Sequence, residues 1–142
     1  MMFFPACVTV KPQPRGVALI IPSEANPVIT TLCPLLLAMS SGNGVIVRLS
    51  NGNNKTTEVI KKYMEHFLDR RYYKLLIEPA EKNVEACDTV QDFDYVYCSA
   101  PRETCKLVAK MASKNLVPFT FNVEDDEHVI VVDSNPQYAC AK

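Results

Sequence analysis

The sequence predicts a doubly wound α/β domain, a mostly parallel sheet with helices on both faces. Two observations predict it. Short, continuous apolar runs recur along the chain, as strands buried on both faces read. Amphipathic helical stretches fill the intervals, so successive strands are joined by right-handed βαβ crossovers. The length of 142 residues suits one such domain with one core.

The elements follow in order. Residues 1–13 form an entering arm or extra strand, with Cys7-Val-Thr-Val10 ahead of Lys11-Pro-Gln-Pro14. The domain proper spans residues 14–142. Val17 to Ile21, between Gly16 and Pro22, is the first buried strand. Pro27 to Ser41 is a helix, with Val28, Leu32, Leu35, Leu36 and Met39 near helical spacing and Gly42 as its stop. Val45 to Leu49 is the second strand, entered through Gly42-Asn-Gly44. Ser50 to Asn54 is a polar turn, and Asn54 suits the N-cap of the next helix. That helix, Lys55 to Leu68, places Val59, Ile60, Tyr63, Met64 and Phe67 on one face. Tyr73 to Ile77 is a third strand, Glu81 to Val90 a short helix and Tyr95 to Tyr97 a fourth strand. In the helix from Arg102 to Asn115, Leu107, Val108, Met111 and Ala112 face inward. Phe119 to Phe121 and Val129 to Val132 complete the strands.

Composition narrows the function. The chain is 48% hydrophobic and 22% charged, with a formal net charge of -1. No strong field points to nucleic acid, a membrane surface or an acidic ligand. Six cysteines form no C-x-x-C pair, and His66 and His128 lie far apart in sequence, so no metal is expected. Cysteines in apolar surroundings, such as Cys33 between Leu32 and Pro34, read as buried, reduced thiols of a reducing compartment. No apolar run spans a bilayer, and Met1-Met-Phe-Phe-Pro5 lacks a basic n-region. The expected location is intracellular, mitochondrial or cytoplasmic.

Ligands of such sheets bind at the carboxyl ends of the strands. Around those ends the segments resemble one family. Pro14-Arg-Gly-Val-Ala-Leu-Ile-Ile21 resembles the P-x-G-V-x-x-x-I strand that opens the cofactor domain of aldehyde dehydrogenases. Pro34 to Asn43 resembles its P-x-x-x-A-x-x-A-G-N segment, and Phe93-Asp-Tyr-Val its F-D-x-I strand. Lys106 to Phe121 resembles its stretch ending A-A-K-x-L-x-P-V-T-L, and Val129 to Asp133 fits the strand that follows. Order and spacing are those of the class 3, fatty-aldehyde-type branch. The resemblance implies a Rossmann-like nucleotide-binding domain, shortened relative to the whole enzyme.

The same alignment implies that the chemistry has been rewritten. Where the family has W-N-Y-P, whose Asn amide helps hold the oxyanion, this chain has Glu24-Ala-Asn-Pro27, with Ala25 at the Asn position. Where K-P-S-E holds the cofactor ribose, Arg48-Leu-Ser-Asn51 stands. The G-S-T-x-x-G that opens a helix against the pyrophosphate aligns with Ala100-Pro-Arg-Glu-Thr-Cys105. Neither glycine remains, and Glu103 brings an anion to the phosphate position. Asn122 stands where E-L-G-G-K supplies the general base, and an amide takes no proton at neutral pH. The family's catalytic cysteine falls beyond the position of Lys142, and Cys140 is not its counterpart by register.

The reading is therefore a protein that is not an enzyme and holds no cofactor, with Arg48, Asn51, Ala100, Glu103 and Asn122 as degenerate cofactor positions. Arg48 and Arg102 read as surface charge, Lys61-Lys62 and Arg70-Arg71 as solvated patches. Glu124-Asp-Asp-Glu127 reads as a solvated turn rather than a calcium loop. The expected role is a structural or accessory subunit of a larger assembly, possible as a homo-oligomer, with other protein subunits covering the exposed sheet. A regulatory module that keeps some NAD(P) or nucleotide binding is the alternative.

Overall fold

The structure, a computed structural model, describes residues 9–11, 13–50, 54–78 and 92–124. The strands are β1 (Val17–Ile21), β2 (Gly44–Ser50), β3 (Tyr73–Glu78), β4 (Tyr95–Pro101) and β5 (Phe119–Glu124). The helices are α1 (Pro27–Ser40), α2 (Asn54–Phe67) and α3 (Arg102–Lys114). The sheet order is β3-β2-β1-β4-β5, and every neighbouring pair is parallel. This is the doubly wound arrangement that the alternation of runs predicts. Cys7 and Val8 of the arm, the turn at residues 51–53, the helix expected from Glu81 to Val90 and the strand expected from Val129 to Val132 lie outside the described residues. Thr9 and Val10 carry no strand.

β1 is the centre of the sheet and is buried on both faces. Ile20, with Val45, Val47 and Leu49 of β2, packs against Leu35 of α1 and Ile60 and Met64 of α2. Leu19, with Val96 and Cys98 of β4, packs against Cys105, Val108 and Ala112 of α3. Among the described residues, α1 and α2 thus cover one face and α3 the other. The growth direction of the sheet reverses between β1 and β4.

Two of the family-like segments meet at the entry to β1. Gly16 sits at φ +136°, and a Cβ there would collide with the Asp94 carboxylate. Asp94 accepts a hydrogen bond from the Val17 amide at 2.8 Å. Asn43 completes the junction: its Oδ1 accepts from the amides of Arg15 (2.6 Å) and Gly16 (3.2 Å). Gly42, at φ +79°, ends α1 as its sequence position suggests.

The helix faces differ from the expected ones. On α1 only Leu35 of the predicted apolar set is fully buried, while Val28, Leu32 and Leu36 are exposed and Met39 is half-buried. Thr30 and Thr31 turn inward instead. On α2 the inward ridge is Thr57, Ile60 and Met64, and Val59, Tyr63 and Phe67 face out. Tyr63 and Phe67 stack on each other there, 6.0 Å apart. On α3 Cys105, Val108 and Ala112 are buried, whereas Leu107 is exposed. On α3 small residues take the inner face, which lets the helix lie close on the sheet.

Candidate functional site

The strand order places a cleft at the reversal point between β1 and β4, at their carboxyl ends, where α/β sheets bind ligands. It encloses about 200 Å³ and is bordered by Pro22, Glu24, Arg48, Ser50, Ser99 and Thr104. The loop from β1 supplies one wall. Ser23 is buried and its Oγ accepts from the amides of Ala25 (3.0 Å) and Asn26 (3.2 Å). Thr30 closes the loop from the helix side, accepting from the Ser23 amide at 3.0 Å and donating to the Asn26 carbonyl at 2.7 Å. The backbone donors beside Ala25 are therefore turned onto Ser23, not toward a ligand. Ser23 and Thr30 were missed in the sequence. The signal was a serine and a threonine bracketing Asn26-Pro27, residue types that bind nearby backbone groups in turns.

The β4–α3 turn supplies the other wall. Pro101 precedes α3 and provides no side-chain cap. Glu103 lies in the first turn of α3, but its side chain is exposed and bound to Lys106 at 2.9 Å. That neighbour holds its carboxyl below the usual range. The anion expected at the phosphate position thus faces away, paired along its own helix. Arg102 is exposed, as expected of surface charge. Arg48 is not: it is 4% exposed and borders the cleft. It lies on the sheet face opposite α1 and α2, so a position read as surface charge is enclosed. Asn51 lies outside the described residues.

Asn122 of β5 sits level with Ser99 of β4, and its Nδ2 donates to the Ser99 Oγ at 3.1 Å. Ser99 is fully buried. The amide is thus engaged in holding two strands together. Glu24 and Glu124 lie near each other at this end of the sheet. Burial pushes the Glu124 carboxyl up, and the neighbouring Glu24 charge adds to that rise. Ala100 is buried in the strand. Of the acidic run, only Glu124 is described, and it ends β5 rather than lying in a turn. Among the described residues no group of three or more His, Cys, Asp or Glu side chains is arranged to hold a metal ion.

On the other face, between α1 and β4, lies a cavity of about 390 Å³. Its walls are mostly apolar, with Cys33 and Leu37 on one side and Tyr95 and Tyr97 on the other. Cys33 is exposed, not buried as its apolar neighbours suggest. No helix of the described residues is long and apolar enough to cross a membrane.

Relatives and solved structures agree with this fold. No protein-family model matches the chain. It is 31% identical over 114 residues to aldehyde dehydrogenase family 3 member A2 of Pongo abelii, covering 80% of this chain and 23% of that protein. It is 32% identical over 133 residues to 4,4'-diaponeurosporen-aldehyde dehydrogenase of Staphylococcus aureus, covering 92% of this chain and 28% of that protein. The substrate-bound structure of Staphylococcus aureus AldH superposes with a TM-score of 0.71 at 29% identity, over 78% of this chain and 24% of that one. Betaine aldehyde dehydrogenase from Staphylococcus aureus, in complex with NAD+, shares the fold, with a TM-score of 0.68 at 19% identity over 78% of this chain and 22% of that one. Fold and sequence together define a chain of the aldehyde dehydrogenase superfamily. Within it, the chain is a relative of the family 3 members, and it spans about a quarter of their length.

Proposed function

We propose that this chain is a non-catalytic derivative of the aldehyde dehydrogenases that serves as a structural or accessory subunit of a larger protein assembly. The observation that carries the reading is the state of the strand ends. The amide of Asn122, at the position that the family resemblance gives to a general base, binds Ser99. An amide accepts no proton at neutral pH. The loop that would hold an oxyanion has Ala25 in place of an amide side chain and turns its backbone donors onto Ser23. Glu24 and Glu124 bring negative charge to the end of the sheet where pyrophosphate would lie. Acyl transfer needs a base and oxyanion donors together, and hydride transfer needs the cofactor held.

The outer face of α1 supports an assembly role. The helix has no charged residue, and Val28, Ile29, Leu32, Leu36 and Leu37 are all exposed on it. A contiguous apolar stripe of this kind is a surface for another protein. The reduced thiols suit an intracellular compartment, mitochondrial or cytoplasmic.

Two measurements test this. Purification from the native source, with mass spectrometry of co-eluting proteins, is expected to return stable partners; a lone monomer at every stage would sink the assembly role. Calorimetry with NAD and NADP is expected to give millimolar binding or none, and a micromolar dissociation constant overturns the loss of cofactor binding. One observation favours a second reading, a regulatory module that retains a nucleotide: Arg48 is enclosed at the cleft, where a phosphate would meet it. The same calorimetry separates the two.

A further inference from the structure

We infer that Cys98 and Cys105 form an oxidisable thiol pair, a reversible disulfide site that locks the turn between β4 and α3. Their sulfur atoms lie 3.9 Å apart. Cys98 is the fourth residue of β4 and Cys105 the fourth of α3. A residue one turn into a helix leans back over its N-terminal end, which brings Cys105 over the strand that feeds the helix. Its thiol donates to the Ala100 carbonyl at 3.2 Å, holding the sulfur over the turn. A disulfide needs the sulfurs at about 2 Å. Closing to that distance gives up the weak bond to Ala100.

The surroundings select the chemistry. Cys98 is 0% and Cys105 3% exposed, so a bulky thiol or a second chain has no path to them. Ala100, Thr104 and Val108, which surround Cys105, border the cleft at the strand ends. That cleft admits a molecule the size of hydrogen peroxide. The Cys105 sulfur attacks the peroxide O–O bond, giving a sulfenic acid and one water. The Cys98 sulfur then displaces the sulfenic oxygen as a second water and the S–S bond forms. Two thiols are oxidised by two electrons and one peroxide is reduced to two waters. With the second sulfur already in contact, closure outruns further oxidation to sulfinic acid. A small dithiol reductant reverses it by exchange. The ring ties the end of β4 to the first turn of α3, fixing one wall of the cleft. It forms whether or not the chain is an assembly subunit.

Peptide mapping of the intact protein tests the site. The folded, reduced protein is treated with hydrogen peroxide, then denatured, alkylated and digested with trypsin, which cuts after Lys82, Arg102 and Lys106. The expected product links the peptide ending at Arg102 to Glu103-Thr-Cys-Lys106, with fragmentation placing the bond on Cys98 rather than Cys87. The link dominates in the folded protein, gives way to mixed pairings when peroxide is added in urea, and disappears on reduction. Alkylation of both Cys98 and Cys105 after native oxidation overturns the site, as does a bond from either to any other cysteine.

Discussion

Single residues decide whether β1 can enter the sheet. Gly16 lies at φ +136° against the Asp94 carboxylate, so Gly16→Ala meets both backbone strain and a collision. The expected loss is about 2–4 kcal/mol, read as a fall in the urea midpoint. Asp94→Ala leaves the Val17 amide without that acceptor and is expected to cost about 1–2 kcal/mol. At the other end of the sheet, Glu124 gives a pH signature. Its folded pKa is raised, first by burial and then by Glu24. A raised carboxyl pKa means that the folded state favours the proton. Its contribution is full below the unfolded pKa and is lost as pH rises through the folded value. Glu124→Gln is therefore expected to raise stability at neutral pH, by less than about 1 kcal/mol at this partly exposed site, and to give no gain below the ordinary glutamate range. Thermal melts of both proteins across that range check the sign.

At the scale of elements, the helices separate what packs from what only looks apolar. Val108 is fully buried against β4, so Val108→Ala is expected to cost about 2 kcal/mol. Its neighbour Leu107 is 40% exposed, and Leu107→Ala is expected to stay within about 0.5 kcal/mol. Denaturant melts of the pair distinguish the inner face from the outer one. The strands were legible in the sequence because burial on both faces leaves an unbroken apolar run, as in Val17 to Ile21. The helix faces were not. α1 has apolar residues around most of its circumference and no charge to mark the wet side, so periodicity alone could not orient it. The replacements at the site, Ala25 and Asn122, were legible through register against a family pattern. The enclosure of Arg48 and the meeting of Cys98 with Cys105 were not, because each depends on segments that only folding brings together.

Among the described residues, α1 carries a run of exposed apolar side chains. Leu36 is 62% and Leu37 70% exposed. Replacing both by lysine is expected to leave folding stability within about 1 kcal/mol while lowering apolar-dye binding and abolishing recovery of native partners. Loss of the fold instead would mean that this face packs inward. These two side chains therefore separate a surface kept for a partner from a surface needed by the core.

The strand order has a consequence for how the chain is made. β1 is the first described strand to leave the ribosome, yet it ends at the middle of the sheet, with β2 on one edge and β4 on the other. The segment from β1 to β3 contains consecutive parallel neighbours, so it can assemble as a half-sheet while synthesis continues. β4 begins at Tyr95, so the second edge of β1 stays open until the segment through Pro101 has emerged. Translation at roughly 5–20 residues per second leaves that edge bare for several seconds. During that interval the nascent protein depends on whatever shields an unpaired central strand, and its vulnerability to aggregation is set by the speed of elongation rather than by the stability of the finished fold.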